Sequence, residues 1–281
     1  MPTIREALHA GAARLSAAGV MEALNDAALL LSYVTGEAPL SLRADAGREL
    51  VAEDAAAYES LLMKRAAREP LQYITGEAPF MGLMLKAMPE VLIPRFDTET
   101  LCEQALQRLS GDERVLDLCT GSGALAVAIA DHFSGAKVYA GDISPNAVAL
   151  ARQNALCCGV NITVRQGDLF MPFAGERFDM IVSNPPYIPS GDLPGLMAEV
   201  QAEPVLALDG GRDGLDFYRR IIKEAPCYLT ANGWLLLEFG DGQAQAVTAL
   251  LKESFEEITV YSDLNGMDRT VAGRLKHGIC S

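Results

Sequence analysis

The chain has 281 residues, half of them hydrophobic, and carries 37 acidic against 23 basic side chains for a formal net charge of −14. That length suits one large domain with a smaller companion, and the composition is ordinary for a globular protein. The acidic balance argues against nucleic acid as substrate, because phosphate neutralisation supplies most of the affinity of such binders.

From the amino terminus, "IREALHAGAARLSAAGV" and "MEALNDAALLLSYVTGE" are rich in Ala and Leu at helical spacing, and each ends near a glycine. A third helix is expected from about Glu53 through Arg68, closed by Pro70. These predict a small helical bundle over residues 1–75. Its Leu and Ala stripe reads as core, with partner docking as the alternative. Between residues 76 and 96, "FMGLMLKAMPEVLIPRF" shows short extended pieces bracketed by glycine and proline, which predicts a hairpin linker.

Residues 97–281 then alternate strand and helix. Expected strands cover 114–118, 137–142, 162–168, 178–184 and 233–239, and two more over 258–263 and 269–275 pair as a hairpin. The pattern predicts an α/β fold with a mostly parallel seven-stranded sheet, one strand antiparallel, and helices on both faces. No apolar run is long enough to span a bilayer, and the start lacks a basic head before an apolar core. A soluble cytoplasmic protein with no membrane association is therefore expected. Cys102, Cys119, Cys157, Cys158, Cys227 and Cys280 show no paired C-x-x-C spacing, and only His9, His132 and His277 could join them. They read as reduced core thiols, and no metal site is expected.

Ligands of open α/β sheets bind beyond the carboxyl ends of the strands. Those ends carry "DLCTGSG", "AGDIS", "QGDLF" and "SNPPY". In the first, Cys119, Thr120, Gly121, Ser122 and Gly123 form a loop whose glycines permit close backbone approach and positive φ. Asp142 can accept both hydrogen bonds of a ribose diol, since Ser144 is the better helix cap. Asp168, followed by Leu169, reads either as an acceptor for an adenine amino group or as a simple turn aspartate. The row Asn184, Pro185, Pro186 and Tyr187 ends a strand with stiff acceptors beside one ring. If the Asn184 side-chain oxygen and the Pro185 carbonyl accept from one NH2 group, they aim its lone pair at an electrophile. Tyr187 would stack on that planar group.

These four loops, in order, resemble those of class I S-adenosylmethionine-dependent methyltransferases of the NPPY type, with a Rossmann-like sheet. The blocks "REPLQYITGEAPFMGL", "VLIPRFDTET", "EPVLALDGGRDGLDFYRRI", "LLLEFGDGQ" and "DLNGMDRTVAGR" narrow the resemblance to the release-factor glutamine methyltransferases, the HemK or PrmC family. That resemblance implies S-adenosyl-L-methionine as cofactor, bound by Cys119 through Gly123, Asp142, Asp168, Leu169 and Asn184. It implies substrate recognition by Asn184, Pro185, Pro186 and Tyr187, with Asn184, Pro185 and Tyr187 carrying the chemistry. The implied substrate is the glutamine of the Gly-Gly-Gln tripeptide in peptide-chain release factors, methylated at its side-chain nitrogen by a monomer. Two departures stand out: Phe96 and Cys119 occupy positions where the family has proline and glycine. Arg95 and Glu99 receive no role. The alternatives are methylation of an exocyclic amine of DNA or RNA, and a non-catalytic cofactor-binding protein.

Overall fold

A computed structural model describes residues 1–279, so Cys280 of the six cysteines lies outside the described residues. The chain divides into two compact units, one of residues 1–76 together with 197–202, the other of residues 77–196 with the chain from 203 onward.

In the first unit, α1 (Ile4–Ala17) begins with a capping box in which Thr3 and Glu6 satisfy each other's backbone amides. α2 (Ala23–Thr35) stops at Gly36, whose φ of +71° closes the helix in the left-handed region. α3 (Pro39–Ala44), α4 (Ala52–Ala66) and α5 (Leu71–Thr75) complete the set. Ile4, Leu15, Leu30, Leu31, Tyr58 and Leu62 form one apolar cluster, so the Leu and Ala stripe is core. Buried in α4, Arg65 donates through Nε to Asp26 at 2.8 Å and pairs through Nη2 with Glu199 at 2.8 Å. Glu199 also takes two hydrogen bonds from Arg68, at 2.7 and 2.5 Å.

The second unit opens with an antiparallel hairpin, β1 (Glu77–Phe80) and β2 (Leu83–Lys86). Met81 and Gly82 turn it, both at positive φ, as a two-residue hairpin requires. Residues 87–96, expected to be extended, form no strand. The next element was not foreseen: α6 (Asp97–Leu106) buries Thr98, Leu101, Cys102 and Ala105 along one stripe. Then follow β3 (Arg114–Leu118), α7 (Ala124–His132), β4 (Lys137–Asp142), α8 (Pro145–Cys157), β5 (Ile162–Gln166) and β6 (Phe178–Ser183). The short α9 (Ala198–Gln201) belongs to the first unit. α10 (Asp216–Glu224), β7 (Leu229–Glu238), α11 (Ala244–Leu251), β8 (Phe255–Ser262) and β9 (Asp268–Leu275) close the chain.

The seven strands lie in the order β5-β4-β3-β6-β7-β9-β8. All run parallel except β9, which is antiparallel to both its neighbours. The expectation of one antiparallel strand therefore holds. Both faces of the sheet are apolar, as helices on each side demand. Val115, Val138, Met180 and Val182 face the cluster that includes α6, α7 and α8. Leu116, Leu118, Ile181, Leu235 and Leu237 face the cluster that includes α10 and α11.

Of the thiols expected in the core, Cys102 is buried and Cys119 and Cys158 are half-buried, but Cys157 and Cys227 are exposed. Cys157 is the last residue of α8, outside the stripe that helix buries. No helix among the described residues is long and apolar enough to cross a membrane.

Candidate active site

β4 and β5 extend the sheet to one side of β3, whereas β6 and β7 extend it to the other. A crevice forms beyond the carboxyl ends of strands at such a reversal of order. Here it is a cavity of about 230 Å³, lined wholly by residues of the second unit.

The loop after β3 supplies Cys119, Thr120, Gly121 and Ser122 to the lining. Gly123 does not line it. A side chain there would meet Ala151 of α8 at 2.9 Å, so this glycine serves helix packing, and its φ is +82°. Cys119 takes φ +57°, a left-handed angle that costs a non-glycine residue about 1–2 kcal/mol. Its thiol packs against the apolar cluster under α10 and α11, and burial pushes its pKa up. The loop thus keeps a glycine-like backbone while the side chain turns inward. The buried Asn154 braces it, donating to Ser122 O at 2.9 Å and accepting from the Lys86 amide at 2.7 Å.

Asp142 lines the cavity at the end of β4. Ser144 is the cap of α8, as expected, accepting from the Ala147 amide. Asp142 is nonetheless engaged: Oδ2 accepts from the Gly121 amide and Oδ1 from the Ser144 amide, each at 2.9 Å. A carboxylate has about four acceptor sites, so one lone pair per oxygen remains for a ligand. Burial raises its pKa, and the backbone hydrogen bonds from Ser144 and Gly121 oppose that rise. Asp168 and Leu169 also line the cavity. Asp168 Oδ2 is taken by Arg220 Nη2 at 2.6 Å, and Leu169, at φ +45°, is buried.

Asn184 and Pro186 line the cavity, whereas Pro185 and Tyr187 do not. Proline cannot continue the ladder, so β6 stops at Ser183, whose hydroxyl donates to Leu118 O at 2.7 Å. That bond ties the ends of β6 and β3 together. The Tyr187 ring packs with the cluster under α10 and α11, against Gly240, where any side chain would come within 2.9 Å of it. Its carbonyl accepts from Gln243 at 2.9 Å.

Several lining residues went unread in the sequence. Asp117 is 1% exposed, with Oδ2 accepting from the Thr120 hydroxyl at 2.5 Å. Its Oδ1 accepts no well-formed hydrogen bond. Burial pushes this carboxyl up to about 7, against the hydrogen bond from Thr120. Thr98 accepts from Asn184 Nδ2 at 3.1 Å. Arg95 pairs with the buried Glu203, which also accepts from the Ile93 amide at 3.0 Å. Glu99 Oε1 accepts from the Met81 amide at 2.7 Å and so fastens α6 to the hairpin. The signal that could have found Asp117 is a carboxylate inside an apolar strand: such a group is costly to bury without a purpose.

Two family models match the chain, the PrmC N-terminal domain over residues 6–76 and the Methyltransferase small domain over residues 95–199. A release factor glutamine methyltransferase of Geobacter sulfurreducens is 45% identical over 275 residues, spanning 97% of each chain. Its counterpart in Moorella thermoacetica is 42% identical over 95% of this chain and 96% of its own. The chain belongs to the release factor glutamine methyltransferase family. Among solved structures, a methyltransferase of Pyrococcus furiosus superposes with a TM-score of 0.54 at 18% identity, covering 77% of this chain and 96% of its own. The 16S rRNA N2 G1207 methyltransferase of T. thermophilus, solved with AdoMet and guanosine, gives 0.53 at 19%, covering 71% of this chain and 50% of its own. At such identities the likeness concerns the Rossmann-like fold.

This member of the release factor glutamine methyltransferase family presents a cavity whose chemistry fits S-adenosylmethionine. The buried Asp117 oxygen without a partner and the Asp142 carboxylate suit a ligand that carries positive charge and a sugar diol. Ile143, Leu169 and Phe217 supply apolar wall for a flat base.

Proposed function

We propose that this protein transfers a methyl group from S-adenosyl-L-methionine to the side-chain amide nitrogen of the glutamine in the Gly-Gly-Gln tripeptide of peptide-chain release factors. It acts as a monomer in the cytoplasm, on protein and not on nucleic acid. The observation that carries this reading is Asn184, which lines the cavity with its Nδ2 bound to Thr98 and its Oδ1 left as an acceptor.

When bound, the cofactor supplies an electrophilic methyl carbon. An amide nitrogen is a poor nucleophile, because its lone pair is delocalised into the carbonyl. Asn184 Oδ1 accepts from the glutamine NH2, with the Pro185 carbonyl, from a residue outside the cavity lining, read as the second acceptor. The pair would orient the lone pair and stabilise the positive charge that grows as the C–N bond forms and the methyl–sulfur bond breaks to leave a neutral thioether. One N–H proton then leaves to solvent. The buried Pro186 stiffens this acceptor pair. Tyr187, packed away from the cavity, is read as a support that holds the turn from behind. The net charge of −14 supports a protein substrate over a polyanion.

The test is mass analysis of release factor after incubation with the protein and cofactor, beside a nucleic-acid control. One added methyl on the glutamine is expected, and an unmodified glutamine would sink the reading. Asn184→Ala should bind cofactor within a few-fold of wild type while turnover falls by roughly 10²–10³.

A further inference from the structure

The loop after β5 fixes the backbone of Asp168 but not its side chain. The Gly167 amide donates to Asp142 O at 2.9 Å, and the Met171 amide donates to Asp168 O at 3.1 Å. Gly167 is pressed against Pro172, where a Cβ would lie 2.3 Å from the ring, so this turn admits no side chain. Two rotatable bonds still let the Asp168 carboxylate, 37% exposed, turn toward the cavity or toward water. Among the described residues, the one hydrogen bond to its oxygens comes from Arg220 Nη2, at 2.6 Å to Oδ2.

Arg220 lies 52 positions further along the chain, on α10. That helix buries Tyr218, Ile221 and Ile222 and brings Phe217 and Arg220, one turn apart, to the cavity that Asp168 also lines. The guanidinium stands 5.9 Å from the centre of the Phe217 ring, so the arginine runs beside the apolar wall. An ion pair this exposed, 44% on one side and 37% on the other, adds little to folding. Its effect is on direction. With Oδ2 committed to Arg220, the acceptor that Asp168 keeps free is Oδ1.

We propose that Arg220 is a positioning residue for the base of the cofactor. It holds the Asp168 carboxylate so that Oδ1 accepts from the adenine amino group, and it thereby makes the site selective for a 6-amino purine. This rests on the reading of the cavity as the S-adenosylmethionine site. A carboxylate accepts and does not donate, so it rewards an amino group and gives nothing to a purine without one. Released from Arg220, the carboxylate would spend part of its time in water, and the reward would shrink with the fraction lost.

The experiment is calorimetry of the full chain with S-adenosylhomocysteine and with the analogue in which hydrogen replaces the 6-amino group. Wild type, Arg220→Ala, Arg220→Lys and Asp168→Ala are compared, and the readout is the ratio of the two affinities within each protein. Wild type should prefer the amino form by roughly 10- to 100-fold, the worth of one charge-assisted hydrogen bond. The ratio should fall to about 1 in Asp168→Ala and to about 3 in Arg220→Ala. Arg220→Lys, which keeps the charge but not the planar fork, should lie between Arg220→Ala and wild type. Lost stacking or lost charge alone would weaken both ligands alike and leave the ratio untouched. A wild-type ratio in Arg220→Ala beside a collapsed one in Asp168→Ala would therefore overturn the role of Arg220 and leave Asp168 as the acceptor. A ratio near 1 in wild type would overturn both roles. Failure of wild type to bind either ligand would overturn the reading of the cavity, and the proposal with it.

Discussion

At Cys119 two effects of similar size oppose one another. The left-handed backbone at φ +57° penalises any side chain, and the inward thiol gains apolar burial. Cys119→Gly removes both, so the denaturant midpoint should shift by no more than about 1 kcal/mol. Cofactor affinity, read by calorimetry, should be kept or improved, because the glycine backbone needs no support to hold the angle. A large loss of affinity would show that the thiol itself shapes the cavity. Asp117 makes a different prediction. Its folded-state pKa of about 7 lies above the ordinary 3.8, so the folded chain keeps a proton that the unfolded chain has released. Stability should therefore fall as pH rises from about 4 to about 7, by at most roughly 1.4 kcal/mol per unit, and level off above. Asp117→Asn should reduce that slope, and the part that remains belongs to Glu238, which burial also raises to about 7. Urea midpoints at about pH 5 and about pH 8 check it, and parallel slopes in the two proteins would rule out the buried acid as the cause.

At the scale of elements, the arginine pair on and just beyond α4 meets residues 197–202, more than a hundred positions on in the chain. Arg65 is almost wholly buried, and Glu199 and Asp26 neutralise it. Replacing Glu199 by Gln leaves Arg65 with one carboxylate, which should cost about 1.5–3 kcal/mol in urea unfolding monitored at the helices. The hydrogen bonds of Arg68 hold the Glu199 carboxyl at about 2, below its ordinary 4.5. Its contribution is thus complete above about pH 4.5 and fades as pH falls toward 2, a window clear of the Asp117 effect. A variant as stable as wild type at neutral pH would mean that the pair adds nothing beyond what solvation offers. α6 shows why one element escaped the sequence reading. Its stripe spans ten residues without a side-chain cap, so only the acidic first turn of Asp97 and Glu99 announced its start.

For the whole molecule, the cavity is built by the second unit alone. Saturating S-adenosylmethionine, at about 100 times its Kd, should stabilise the seven-stranded sheet by about 2.7 kcal/mol, seen as slowed hydrogen exchange in β3, β4 and β6. Unchanged exchange in those strands would mean that the ligand lies elsewhere.

The sequence by itself determined the alternation of strand and helix, the single antiparallel strand and the order of the four loops. These follow from periodicity and turn chemistry, which act between residues a few positions apart. Even the displacement of β6 into a proline row was legible, because proline's missing donor is a property of the residue and not of its surroundings. Tertiary structure alone decided that Asp168 is occupied by Arg220, that Tyr187 faces the core, and that residues 197–202 join the helical unit. It also decided that Thr98 of α6 accepts from Asn184. Those partners come from helices and strand ends far apart in the chain. Which side chain meets which is set by sheet order and packing, and a polar group takes its partner from whatever the fold brings within about 3 Å.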